Sequence, residues 1–302
     1  MKEHYPHVGL TKLCALFGVS RQAYYQHQNR LNRTSMQAAV ILDKVREVRD
    51  SLPRNGTLKL HRMLKDDFKN HQIRIGRDRL RNLLRQNDLL VKPTKRFCVH
   101  TTDSNHHYHK WSDLTSAITL NRPHQLWVSD ITYLRTKEDG FLYLSLITDA
   151  FSRKIIGHHL SYSLSAKGCV SALNKAIGQL PPRSGNGLTH HSDRGVQYCC
   201  TEYVKTLQKQ HIAISMTQNG SPYENAKAER VNGILKTELG LGIEFENYAA
   251  ALRAVAKAID LYNTLRPHFS CGLYTPGHTH QFWKTLQIQP INPKQLSKQT
   301  EL

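Results

Sequence analysis

The sequence predicts an α/β protein in which a mixed β-sheet flanked by helices follows an all-helical segment. In the first 91 residues, apolar side chains recur at helical spacing. From residue 125, three runs rich in β-branched and aromatic residues come first, and helical and strand patterns then alternate. Three antiparallel strands followed by such an alternation imply a mixed sheet that is covered on both faces.

A chain of 302 residues is long enough for about two domains, and its composition indicates a linker between them and a tail after them. We predict a helical region at residues 1–91, a basic linker at 92–124, a mixed α/β core at 125–285 and a polar tail at 286–302. The formal net charge is +19, which favours nucleic acid as the partner. No apolar run approaches the ~18 residues of a transmembrane helix, so we expect no membrane partner.

The first helical pair is predicted near residues 10–27. Apolar residues at 10, 13, 16 and 17 share one face, Gly18 suits a tight turn, and Ser20 suits the start of a second helix. In a helix-turn-helix, this second helix would present Arg21, Gln22 and Tyr25 to a DNA groove. A plain helical hairpin is the alternative.

Further helices are predicted at Met36–Leu52, Leu58–Phe68 and Gly76–Leu89, the last two forming a pair within residues 57–90. Arginines line the last helix, and Arg77 and Arg81 are expected to contact DNA phosphates. A solvated basic face would give the same pattern.

The linker at residues 92–124 is predicted to be extended, either as a spacer or as a strap along a DNA backbone. It contains a cluster that invites comparison with zinc sites: Cys98, His100, His106, His107 and His109. Its spacing matches no common zinc module, so we favour a polar linker. The six cysteines form no C-x-x-C pair, which favours reduced thiols in the cytosol.

The core is predicted to begin with three strands and to continue with alternating helices and strands. The expected strands are Gln125–Arg135, Phe141–Asp149, Ile155–Ser161, a segment ending near Ser192, and Ile212–Thr217. The expected helices are Ala166–Leu180, Glu202–His211, Tyr223–Leu239 and Asn247–Leu265.

Three acidic residues occupy separate elements of this core. Asp130 lies in a strand expected to be buried, Asp193 follows a strand end, and Glu229 lies in a helix, with 35 residues between Asp193 and Glu229. A buried carboxylate needs a partner, and converging carboxylates are hard oxygen ligands for a divalent metal ion. In a strongly basic protein, the matching substrate is a phosphodiester.

Three sequence blocks carry a resemblance to a known family. They are WVSDITY at residues 127–133, HSDRGVQY at 191–198 and NAKAERVNG at 225–233, and the motifs KTE at 236–238 and YNTLRPH at 262–268 extend them. The sequence resembles the retroviral-integrase-like transposases, specifically the OrfB-type protein of the insertion-sequence-three family. The resemblance reaches from the N-terminal helices to about Pro276.

The resemblance implies an RNase H-like core in which Asp130, Asp193 and Glu229 are the catalytic, metal-binding acids. It implies two Mg²⁺ ions per site, with Mn²⁺ as a substitute, and a cytoplasmic, nucleoid-associated bacterial protein. Water would nick the ends of an insertion sequence, and the freed 3′-OH would then attack a target phosphodiester. The implied partners are the terminal inverted repeats, target DNA and further subunits on paired ends. An upstream-frame OrfA protein would be a separate or fused component.

Side chains beside the acids complete the predicted site. Asn225, Asn232 and Lys236 lie at helical positions −4, +3 and +7 from Glu229. We expect Asn225 to orient the acid or to contact DNA, and Lys236 to contact a phosphate; an N-terminal helix contact and a solvated lysine are the alternatives. His190 and His191 would assist proton transfer, touch DNA or pack within their strand.

Two other functions compete with transposition. A DNA-binding regulator would use the helical region and an inactive core, but the intact acid trio argues against it. An RNase H-like structure-selective nuclease would cleave DNA without joining it and would not need a helix-turn-helix.

Overall fold

The computed structural model describes residues 5–92, 107–180, 186–218, 225–286, 288 and 290. The chain divides into two compact units. Unit 1 comprises Met1–Ser51 and Gly56–Val91, and unit 2 comprises Leu52–Asn55 and Lys92–Leu302.

The regular elements of unit 1 in the described residues are all helices. Its helices are α1 (Leu10–Leu16), α2 (Arg21–Ser51), α3 (Thr57–Met63), α4 (Lys65–Asn70) and α5 (Arg77–Gln86). They enclose an apolar core made of Ile41, Val45, Leu60, Leu64, Phe68, Ile73, Leu80 and Leu84. Across the described residues, no helix of the chain is both long and apolar enough to pass through a membrane.

Helix α2 corrects one expectation from the sequence. The helix near residues 10–27 and the helix Met36–Leu52 were expected to be separate, but α2 runs unbroken through 31 residues. The stretch between them is polar yet contains neither Gly nor Pro, so nothing interrupts the helix. The predicted start is right, because the Ser20 Oγ accepts a hydrogen bond of 3.0 Å from the Ala23 N–H.

Unit 2 contains a mixed sheet. Its strands are β1 (Leu126–Thr136), β2 (Phe141–Asp149), β3 (Ile155–Ser161), β4 (Thr189–Ser192), β5 (Ala213–Met216) and the short β6 (Glu244–Phe245). The order is β3-β2-β1-β4-β5, and β6 pairs with β1. Strands β1 to β3 are antiparallel, whereas β4 and β5 continue the sheet in parallel from β1. This arrangement confirms the predicted RNase H-like fold class.

Helices cover both faces of the sheet. They are α6 (Ala166–Ile177), α7 (Val196–Cys199), α8 (Thr201–Lys209), α9 (Ala226–Glu238), α10 (Tyr248–Asp260) and α11 (Pro276–Phe282). One core packs α6 and α8 against residues such as Trp127 and Ile147. The opposite core packs α9 and α10 against Leu134 and Leu144. The two cores hold β1 between them.

The end of the predicted helix Asn247–Leu265 and the predicted linker both differ from the sequence-based expectation. The predicted helix Asn247–Leu265 ends in a π-helical turn, Leu261–Leu265. Within it, the Asn263 side chain accepts a hydrogen bond from the Ile155 N–H at 2.9 Å and donates one to the Ile155 carbonyl at 3.0 Å. This amide therefore attaches the end of the helix to the outer edge of β3.

The second half of the expected linker packs on unit 2. Tyr108 and Trp111 lie against the core that contains Trp127, and Ile118 and Leu120 lie against a smaller cluster around Val128. Apolar side chains spaced along residues 107–124 therefore fix this segment to the sheet. Residues 93–106 lie outside the described part of the chain.

Candidate active site

The fold places each of the three predicted acids on a different element beside β1. Asp130 lies within β1, and Asp193 directly follows β4. These two strands are parallel neighbours with Val128 opposite His191, so both aspartates come two residues beyond a paired position. Glu229 lies in the first turn of α9, which packs on β1.

The electrostatics of Asp130 show that the three acids affect one another. Its pKa is raised to about 7, first by burial and then by the negative charge of Asp193, with a smaller contribution from Glu229. Two hydrogen bonds oppose this shift, from the Ile131 N–H at 2.9 Å and from the Asn232 Nδ2 at 2.7 Å. The site therefore concentrates negative charge that a cation would stabilise.

The acids do not form a closed ligand set. Among the described residues, no three His, Cys, Asp or Glu side chains are arranged as a ready metal-binding group. The Asp193 Oδ1 accepts a hydrogen bond of 3.0 Å from the Gly195 N–H, and Glu229 is exposed. An exposed glutamate has rotameric freedom to approach Asp130, so the arrangement is an open site.

Two asparagines of the α9 region face β1. The Asn225 Nδ2 donates a hydrogen bond of 3.0 Å to the Ser129 carbonyl, and the Asn232 Nδ2 donates to Asp130. Both side chains are buried, and the Oδ1 of each has no hydrogen-bond partner in the described structure. Buried acceptors of this kind ordinarily find a donor, so the region beside Asp130 has capacity for bound water or ligand.

Lys236 reaches the same region. Its Nζ lies 4.1 Å from the centre of the Tyr133 ring. Burial lowers the pKa of Lys236, and the charge of Asp130 opposes that shift. A cation held on an aromatic ring near Asp130 is suitably placed to meet a phosphate at the acid site.

His190 and His191 are fully buried, so neither ring is presented at the outer surface of unit 2. The His191 Nδ1 lies 2.9 Å from the Ser215 Oγ and 3.8 Å from the Asp113 Oδ1. A polar side chain in a central strand is enclosed by the neighbouring strands, and His191 contacts polar groups of those neighbours. The packing alternative is therefore the one the structure supports.

His190 forms a second buried network that the sequence did not reveal. Its Nε2 lies 2.6 Å from the Ser129 Oγ and 2.9 Å from the Tyr203 hydroxyl. Burial, together with His191, lowers the pKa of His190 to about 3, so this ring is neutral at physiological pH. It links the strands that carry the two aspartates.

The predicted DNA-contacting residues of unit 1 lie at its surface. Arg21, Gln22 and Tyr25 are exposed in the first turns of α2. In α5, Arg81 is exposed, whereas Arg77 is partly exposed and its Nε lies 2.9 Å from the Asp78 Oδ1. All five belong to a unit separate from the one that holds the acids.

The cysteine and histidine cluster that was compared with zinc sites lies only partly within the described residues. Cys98, His100 and His106 lie outside the described residues. The His107 ring lies 4.4 Å from the Tyr108 ring, and the His109 ring lies 4.6 Å from the Trp111 ring. These two histidines make aromatic contacts.

An ion pair at the far end of α9 was also missed. Arg266 binds both carboxylate oxygens of Glu238 at 2.8 Å, and Arg266 is buried. Both residues belong to motifs that the resemblance identified, but their spacing gives no indication that they meet. The pair attaches the helix that carries Glu229 to the segment after α10.

The chain is similar to integrase cores and to insertion-sequence proteins. Two family models, both described as "Integrase core domain", match residues 121–222 and 210–276. The "Insertion element IS600 uncharacterized 31 kDa protein" of Shigella sonnei is 33% identical over 274 residues, covering 88% of this chain and 96% of its own. The "Transposase for insertion sequence element IS904" of Lactococcus lactis subsp. lactis (strain IL1403) is 35% identical over 178 residues, 57% of this chain and 69% of its own.

A third relative and a solved structure add to this set. The "Transposase InsF for insertion sequence IS3A" of Escherichia coli (strain K12) is 36% identical over 156 residues, 51% of this chain and 53% of its own. The HTLV-2 integrase catalytic core domain in complex with magnesium has a TM-score of 0.42 at 22% identity, covering 53% of this chain and 97% of that chain.

Proposed function

This chain belongs to the insertion-sequence-three family of transposases as an OrfB-type protein, and we propose that Asp130, Asp193 and Glu229 are its catalytic acids. It is a DNA transposase, a polynucleotidyl transferase of the DDE class. The observation that carries the proposal is the register of β1 and β4, which places Asp130 and Asp193 at matching positions, with the helix of Glu229 packed on β1. In keeping with this geometry, both other acids raise the pKa of Asp130. Carboxylates on separate elements influence one another in this way only where they share a site.

Enzymes of this class use divalent metal ions, and the donors present fit such ions. Three carboxylates would supply hard oxygen ligands, and the unpaired Oδ1 atoms of Asn225 and Asn232 would accept hydrogen bonds from water in the site. Two Mg²⁺ ions, or Mn²⁺ in their place, would supply activation of the attacking oxygen and stabilisation of the leaving one. Asp130, Asp193 and Glu229 would hold them.

The surrounding side chains then have separate tasks. Asn232 fixes one oxygen of Asp130 through its 2.7 Å hydrogen bond, and Asn225 ties the start of α9 to β1. Lys236 binds a phosphate close to the cleaved bond. The neutral His190 connects β4 to β1, the strands that position Asp193 and Asp130.

Transposition by this chain would use both units. Unit 1 recognises the terminal inverted repeats through Arg21, Gln22, Tyr25, Arg77 and Arg81. Unit 2 nicks the element ends with water as the nucleophile and joins the freed 3′-OH to target DNA. Several subunits assemble on paired ends, and an upstream-frame OrfA protein contributes as a partner or fusion.

A strand-transfer assay tests this function. Labelled element ends with Mg²⁺ should yield nicked and joined products with the wild-type chain, and Asp193→Asn should lower both by at least about 10²-fold. Asp260→Asn, an exposed change on α10, is the control and should keep full activity. Specific binding without nicking would indicate a regulator, and nicking without joining would indicate a nuclease.

A further inference from the structure

A cavity lies beside the acid site and is not used by the mechanism above. Its volume is about 310 Å³, and its lining residues are Asp113, Thr115, Leu126, Val128, His191, Ala226 and Lys227. This volume lies at the lower end of the range for small-ligand pockets in proteins.

Three of its walls come from the elements that carry the acids. Leu126 and Val128 share a face of β1 with Asp130, since side chains alternate along a strand. His191 precedes Asp193 by two residues. Ala226 lies three residues before Glu229, on the same face of α9. A group that enters the cavity would therefore contact the same three elements that carry the acids.

The fourth wall is the segment around Asp113, which β5 holds in place. The Leu114 N–H donates to the Ser215 Oγ at 2.9 Å, and the Met216 N–H donates to the Ser112 carbonyl at 3.4 Å. The Asp113 Oδ1 accepts hydrogen bonds from the Thr115 N–H at 2.7 Å and from the Ser215 Oγ at 3.4 Å. These contacts fix the orientation of the carboxylate.

The Asp113 carboxylate lines the cavity and is partly accessible. The hydrogen bonds from the Thr115 N–H and the Ser215 Oγ are both made to Oδ1, and the side chain is 23% exposed. Although partial burial raises the pKa of Asp113, hydrogen bonds from Thr115 and the nearby His191 lower it overall, so the group is an anion. It is an acceptor and repels phosphate.

The remaining surfaces suit a flat, uncharged ring. Leu126, Val128 and Ala226 supply aliphatic walls, while the half-buried Lys227 supplies one cation. A nucleobase attached to its phosphate matches this combination: the ring packs on aliphatic carbon, an amino group donates to the carboxylate, and the phosphate meets the ammonium.

We propose that this cavity receives one unpaired base of the DNA end and that the Asp113 carboxylate selects a base with an exocyclic amino group. Cytosine, adenine or guanine would be accepted in preference to thymine, which lacks that group. The inference rests on the proposed function, because DNA must be the substrate. It assigns Asp113 a role in choosing the terminal sequence.

The test uses the full chain and duplex element ends that carry 2-aminopurine at successive positions around the nick, in EDTA so that no strand is cut. Fluorescence of this base rises when it leaves the stack. We expect a rise at one position, and its loss in Ala226→Trp, which fills the cavity from an exposed helix position. Ala256→Trp, at an exposed alanine of α10, is the matched control and should keep the rise.

Base choice is then measured by competition between ends that differ only at that position. Wild type should prefer an amino-bearing base over thymine by roughly tenfold, and Asp113→Asn should reduce that preference to near unity. Asp260→Asn removes the same charge elsewhere and should leave it unchanged.

Two results would overturn the proposal while the transposase function stands. One is the absence of any fluorescence rise in a protein that cleaves the same ends with Mg²⁺, and the other is a rise that Ala226→Trp leaves intact. A wild-type chain that neither binds nor cleaves the ends would instead overturn the proposed function, and this inference with it.

Discussion

Replacing Asp130 by Asn is expected to stabilise the metal-free protein at pH 8 while removing its catalysis. Burial and the charges of Asp193 and Glu229 raise the pKa of Asp130 to about 7. At pH 8 the side chain is therefore ionised in surroundings that disfavour the ionised form. Asparagine has nearly the same shape and carries no charge.

The magnitude follows from the difference in proton binding between the folded and unfolded states. The folded protein binds this proton more tightly than the unfolded chain, in which the pKa of Asp is about 4. The stabilising contribution is complete below about pH 4 and is lost as the pH rises through about 7. A shift of roughly three units corresponds to ~4 kcal/mol. Because Asp130 is only half-buried and solvent screens its charge, we expect about 1–2 kcal/mol.

Thermal unfolding in EDTA measures this effect. For a domain of this size, 1–2 kcal/mol corresponds to a rise of about 2–8 °C in Tm at pH 8. The difference from wild type should shrink at pH 5, where Asp130 is protonated, and Asp260→Asn should show no such dependence. The new amide would face the Asn232 Nδ2, but the unpaired Asn232 Oδ1 lets that side chain turn and accept a hydrogen bond. A variant no more stable than wild type at pH 8 would refute the reasoning.

Further predictions concern the helix that carries Glu229. Lys236→Gln should weaken binding to end DNA and lower the salt dependence by about one phosphate contact, as a salt titration would detect; equal slopes would exclude the contact. Arg266→Ala should cost roughly 3–5 kcal/mol in unfolding free energy, because it leaves Glu238 without its buried partner. Removing the exposed Lys137, whose Nζ lies 2.8 Å from a Glu246 carboxylate oxygen, should change the unfolding free energy far less, because solvent screens this ion pair; equal losses in denaturant melts would contradict this contrast.

The sequence predicted the bounds of the strands in unit 2 more accurately than the bounds of the polar helix α2 in unit 1. The bounds of β2 and β3 match the prediction, because apolar and β-branched runs there end at clear turn signals. Helix α2 was divided in two because its middle is exposed and polar, and periodicity cannot reveal a helix that buries nothing there.

The three acids were predicted from their motifs, but the hydrogen bonds around them were not. The bond between Asn232 and Asp130 crosses from α9 to β1, and the bond between His190 and Ser129 crosses from β4 to β1. Partners this distant in sequence are decided by strand order and register, which a single sequence does not contain. The position of Asp113 beside β5 was also not predicted, because its segment was expected to be a linker.

The amide of Asn263 has a consequence for how copies of the chain can meet. Strand β3 ends one side of the sheet, and an unpaired outer row of N–H and C=O groups invites a strand from another molecule. At Ile155 both groups are already bonded to Asn263. An incoming strand could not form hydrogen bonds with Ile155 unless Asn263 released it, so a continuous sheet between molecules is disfavoured at this position.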